Sequence, residues 1–200
     1  MTGLPPSNQT STQSSRRVAL ERGLAAAAAG AAALTLGNLL RAGRAFGQDE
    51  AASAEDDPSV IEGAIGVEQQ AVAAYEAKGR LLGSAVPVAE LFARQHAEHV
   101  AALSKAQQDL GGDVPQAPLP SDIPGLTEVR AARQMIEFSI AIESQCLAYF
   151  VDAATKLDSG DLLRAGAQIA ANDGQHLVVL RQALGIVPVP SAYPSGSERA

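Results

Sequence analysis

Two stretches of this chain carry the same residues in register, 75 positions apart: Glu68, Gln70 and Ala73 recur as Glu143, Gln145 and Ala148. Each is followed by a second matched element, because His99 with Leu103 recurs as His176 with Leu180 at an offset of 77. An internal repeat restricts the fold to two copies of one supersecondary unit, neither of which can bury its apolar face alone. What that unit is follows from the spacing of the apolar residues.

From Ser59 to Gly83, Ile61, Ile65, Glu68, Val72, Tyr75 and Leu82 fall on three- and four-residue steps apart from a skipped Gly79, which predicts a first helix. Gly83 to Pro87 reads as a short turn. Val88, Phe92, His96, His99, Leu103, Ala106 and Leu110 then predict a second helix, ended by Gly111 and Gly112. Asp113 to Gly125 contains four prolines and no helical period, and reads as a long crossover loop. A third helix is expected from Thr127, as N-cap, through Ile136, Ile140, Glu143, Leu147, Phe150 and Leu157. Ser159 to Asp161 makes a turn, and Leu162, Ala165, Ile169, Asp173, His176, Leu180 and Ala183 form a fourth helix stopped by Gly185 with Pro188 and Pro190. Alanine-rich composition, no Trp and only 4% aromatics agree with closely packed helices rather than a β-sandwich. The expectation is an all-α fold, a four-helix bundle over residues 59–187 made of two helical hairpins joined by a crossover.

The flanks read differently. Residues 1–47 form an export signal: Ser15, Arg16, Arg17, Val18, Ala19 and Leu20 resemble a twin-arginine motif, although Ala19 stands where that family usually carries Phe. An uncharged Ala- and Gly-rich stretch from Gly23 to Leu40 follows, and Ala45, Phe46 and Gly47 suit cleavage before Gln48. An uncleaved stretch of this length would instead anchor the chain in a membrane. Residues 48–58 read as a disordered acidic linker closed by Pro58, and residues 188–200 as a Pro-rich extended arm. Removing residues 1–47 takes away five arginines and one glutamate and moves the formal charge from −7 to −11. No basic stripe remains, which argues against nucleic acid and against specific binding of anionic membrane lipid. The single cysteine, Cys146, excludes an internal disulfide.

Glutamate is almost never buried unless it is paired or bound to a metal, yet Glu68 and Glu143 lie on the inward stripes. Antiparallel helices bring residues equidistant from their turn to one level. With the first turn centred near residue 85, Glu68 meets the turn of helix that contains His99; with the second near 159.5, Glu143 meets His176. All three histidines of the chain fall on these inner faces. Here the sequence resembles the ferritin-like superfamily, in particular exported bacterial proteins with this domain. Its metal-binding members use one Glu from each of two helices and a Glu-x-x-His from each of the other two.

The resemblance implies that Glu68, Glu143, His99 and His176 are metal ligands. His96 and Asp173 stand where the family carries the two remaining glutamates. His cannot bridge two metals as a carboxylate does, and Asp reaches one methylene less far than Glu, so a mononuclear or unequal site is expected. The full candidate set is Glu68, His96, His99, Glu143, Asp173 and His176, for a divalent transition metal, Fe or Mn first and Zn next. Gln70, Gln95 and Gln145 are expected to orient the carboxylates, Tyr75 and Phe150 to pack the core, Cys146 to act as a small hydrophobe, and Glu98 to face solvent. Three functions follow from the resemblance: redox handling or sequestration of metal outside the cytoplasm; a metal-free scaffold for protein interaction or stress protection; and iron storage, which needs a large homo-oligomer whose interfaces the sequence does not mark.

Overall fold

The computed structural model describes residues 56–198. The expected export signal and the linker up to residue 55 lie outside the described residues. The described residues form four α-helices: α1 (Asp56–Lys78), α2 (Val86–Asp109), α3 (Ala132–Ala153) and α4 (Gly160–Leu184). No strand occurs among the described residues. None of these helices is long and apolar enough to cross a membrane. α1 pairs with α2, α3 pairs with α4, and the two hairpins join through α1 against α3.

α1 starts inside the segment expected to be linker. Pro58 sits in its first turn, where a missing backbone N–H leaves no hydrogen bond unmade. Buried Asp57 explains the early start, because its Oδ1 accepts the backbone N–H of Asp158 at 3.0 Å and ties the opening of α1 to the turn between α3 and α4. That turn also departs from expectation. α3 ends at Ala153, and Leu157 packs into the core from the loop. α4 then opens on Ser159, whose Oγ accepts the N–H of Leu162 at 3.4 Å.

The crossover is longer and better anchored than a proline-rich loop suggests. α3 begins at Ala132 instead of Thr127, and residues 126–128 form a single 3₁₀ turn. Ile123, Leu126 and Val129 are buried, and Ile123 and Leu126 pack with Val67, Ala71, Ala74, Ile142 and Cys146. Placing these apolar side chains against α1 and α3 keeps the segment out of a helix. The side chain of Gln134 performs the capping, its Oε1 accepting the N–H groups of Arg130 at 2.8 Å and Ala131 at 3.2 Å. Gln69 of α1 holds the other end of the crossover by donating to the carbonyl of Pro115 at 2.9 Å.

The tail beyond α4 lies against the bundle. Gly196, at φ +79°, lies so close to Ser144 and Ala148 of α3 that a Cβ there would collide with the Ser144 carbonyl. Buried Arg181 reaches the carbonyl of Glu198 at 3.5 Å from the other side.

Apolar side chains occupy both ends of the bundle. One cluster gathers Ile61, Ile65, Leu103, Phe150 and Ile169, and the other Phe92, Ile140, Leu177 and Leu180. Between them, at mid-helix, lies a layer of polar side chains. Leu126 is 0% exposed, so truncating it leaves a cavity under the crossover. Leu126→Ala is expected to cost about 2–5 kcal/mol, seen as a lower denaturant midpoint. An unchanged midpoint would mean that the crossover rests loosely on the bundle.

Candidate metal centre

Each helix contributes to the mid-bundle layer. Glu68 comes from α1, His96 and His99 from successive turns of one face of α2, Glu143 from α3, and Asp173 and His176 from one face of α4. Glu68, His96, Glu143 and Asp173 are 0% exposed, His176 is buried, and the side chain of His99 is 15% exposed. The pairs set by hairpin geometry form: His99 Nδ1 lies 3.1 Å from Glu68 Oε2, and His176 Nδ1 lies 3.1 Å from Glu143 Oε2.

His96 does something that hairpin geometry does not imply. Its Nδ1 lies 2.6 Å from Glu68 Oε2 and its Nε2 lies 3.1 Å from Glu143 Oε1, so one ring spans the glutamates of both hairpins. Burial, the largest influence on this ring, disfavours its charge, but Glu143 and Glu68 outweigh it and raise the pKa of His96 well above the ordinary value. In its charged form the ring donates to both carboxylates, and these contacts favour that form. The glutamates respond in kind. Burial pushes each toward the neutral acid, yet His176 and His96 hold Glu143 far below the usual carboxylate range, and His96 and His99 lower Glu68.

Asp173 has no such support. Both its carboxylate oxygens and Oε1 of Glu68 are buried without a hydrogen-bond partner. Burial, then the charges of Glu68 and Glu143, raise the pKa of Asp173 well above its ordinary value, with His96 opposing. A buried carboxylate left unpaired costs free energy that a cation would recover. Donor atoms of Glu68, His96, His99 and Asp173 lie within 4.8 Å of one another, and so do those of His96, Glu143, Asp173 and His176. Mixed carboxylate and imidazole donors at this spacing suit a divalent transition metal, so the residues present fit one.

The surroundings of the layer were only partly legible. Tyr75, expected to be core packing alone, is buried but also donates its hydroxyl to Glu143 Oε1 at 2.6 Å. A buried tyrosine must place its O–H on an acceptor, and the glutamates are the acceptors on these seams. Phe150, at the matching position of α3, is core as expected. Gln95 touches the layer, but at the Nε2 of His176 at 2.8 Å and not at a carboxylate. Gln145 is exposed, and Gln70 makes no hydrogen bond to the layer. Glu98 is exposed, and Cys146 is a buried thiol whose pKa burial raises, so it remains neutral. Phe92 stacks on His176 with ring centroids 3.8 Å apart and closes the layer on one side.

The sign of each shift fixes a pH dependence. Glu68 and Glu143 contribute stability above their unfolded pKa that is lost as pH falls through their lowered folded values; His96 contributes stability below about pH 6.5 that is lost as pH rises through its raised value. A carboxyl with a raised pKa behaves oppositely to the glutamates, so in the absence of metal Asp173 costs stability at neutral pH and ceases to do so as pH falls toward about 4. Asp173→Asn is therefore expected to raise the melting temperature of chelator-treated protein at pH 7 and to have a smaller effect near about pH 4. A variant no more stable than the parent at pH 7 would show that Asp173 is not the uncompensated charge of the layer.

Residues 76–186 match the model of a family described as the ferritin-like domain. Among solved structures, a conserved hypothetical protein from Mycobacterium tuberculosis aligns with a TM-score of 0.62 at 14% identity, over 72% of this chain and 100% of that one. At that identity the likeness concerns the fold. No curated protein matches.

Proposed function

The chain belongs to the ferritin-like domain family, and from that premise we propose that it is an exported protein that binds a divalent transition metal, Fe or Mn, in the mid-bundle layer. One observation carries this reading: the carboxylate of Asp173, 0% exposed and without a partner on either oxygen, within 4.8 Å of imidazole and carboxylate donors from the other helices. Glu68, His96, His99, Glu143, Asp173 and His176 are the residues that would hold the ion. Fe or Mn bound there would supply one-electron redox chemistry or would simply be sequestered. The protein's own part is to hold donors in place. Tyr75 fixes one oxygen of Glu143, the amide of Gln95 fixes His176, and apolar clusters lie above and below. Arg16 and Arg17, ahead of an uncharged stretch, support export by the twin-arginine route, which delivers proteins already folded. The destination is periplasmic or extracellular.

A second reading is favoured by His96. Its ring pairs with both Glu68 and Glu143 without any metal, as expected for a metal-free scaffold in which polar residues pair with each other. Metal binding separates the two readings. Full-length protein stripped with chelator and given Fe(II) without oxygen, Mn(II) or Zn(II) is expected to retain metal after desalting and to melt at a higher temperature. At a free metal concentration a hundredfold above Kd the stabilisation is about 2.7 kcal/mol. No retained metal and an unchanged melting curve would favour the scaffold. For export, replacing Arg16 and Arg17 by Lys is expected to leave a fused reporter in the cytoplasm; undiminished export would refute the twin-arginine route.

A further inference from the structure

We propose that the layer holds a single divalent ion, seated in the half built by Glu68, His99 and Asp173, and that His96 closes the other half. This rests on the metal-binding reading above and assigns the number and position of the ion. The two halves differ in what their donor atoms are doing. In the Glu143 half, Oε1 accepts from Tyr75 at 2.6 Å and from His96 at 3.1 Å, Oε2 pairs with His176 at 3.1 Å, and the other nitrogen of His176 pairs with Gln95 at 2.8 Å. An ion entering there must displace several hydrogen bonds. In the Glu68 half, Oε2 is paired with His96 and His99 but Oε1 has no partner, and neither has either oxygen of Asp173, whose donor atoms lie within reach of both groups. Counting Asp173, the Glu68 group has three oxygen atoms free to ligate against two for the Glu143 group, and it includes His99, whose side chain is 15% exposed against 2% for His176.

His96 is the reason the halves cannot both fill. Where the fold's two-metal sites place a carboxylate, whose two oxygens can each serve a different ion, this chain has an imidazole whose two nitrogens already face Glu68 and Glu143. A neutral imidazole has one lone pair for a metal, so His96 can join one group of ligands and not both. The charge count agrees. The layer has three carboxylates where the two-metal sites carry four, and three fall short of two divalent ions.

The test uses full-length, chelator-stripped protein loaded with Mn(II), read by elemental analysis and electron paramagnetic resonance. The expected result is one Mn per chain with the hyperfine pattern of an isolated ion. Glu68→Gln and Asp173→Asn should each weaken retention on the order of tenfold or more, whereas Glu98→Gln, on the exposed face of α2, should leave one ion bound. His96→Glu, which restores the missing carboxylate, should take up two ions with an exchange-coupled signal. Two coupled Mn in the unaltered protein would overturn the proposal, as would one ion that survives Glu68→Gln and is lost in Glu143→Gln. No Mn, Fe(II) or Zn(II) bound at all would overturn the metal reading itself. Should His96→Glu fail to fold, the stoichiometry and signal of the unaltered protein still decide the question.

Discussion

The contact on which the interior depends is the one His96 makes with two glutamates at once. Ionised carboxylates taken out of water lose several kcal/mol of solvation each, and attraction to a neighbour recovers this only with good geometry and further hydrogen bonds. Glu68 and Glu143 sit on different hairpins, and His96 lies within 3.1 Å of both. The ring therefore couples the hairpins electrostatically as well as by packing. Removing it would leave two buried carboxylates facing each other with only the outer histidines to compensate.

The apolar clusters give that layer its consequences. Because Ile65, Leu103 and Phe150 lie on one side and Phe92, Ile140 and Leu177 on the other, the walls of the layer offer no hydrogen-bond partner to an acceptor left open. An unpartnered oxygen here costs far more than it would at the surface. Saturation of Glu143 by Tyr75, His96 and His176, beside a free oxygen on Glu68, is thus a chemical asymmetry inside a nearly symmetric repeat. The helices repeat, and the roles of their side chains do not.

Segments outside the helices support the same interior. The crossover inserts Ile123 and Leu126 behind α1 and α3 while Gln69, next to Glu68 in sequence, pins it through Pro115. The start of α1 is tied to the second hairpin turn through Asp57. The first connection restrains α1 beside Glu68, and the second restrains its opening turn.

By itself the sequence determined the helices, the two hairpins and the level at which Glu68, His99, Glu143 and His176 meet, because a 3.6-residue period and the mirror symmetry of an antiparallel turn are local rules. All six candidate ligands were legible in this way, as buried polar residues on apolar stripes. Helix ends were less so: Thr127 is an ordinary N-cap residue, but burial of Leu126 and Val129 overrode it and moved the start of α3 to Ala132. Only the tertiary structure decided that His96 spans both hairpins, that Tyr75 donates to Glu143, and that Asp173 has no partner. Those facts depend on the distance between side chains on helices that are neighbours in space but far apart in the chain, and no periodicity along the chain encodes that distance.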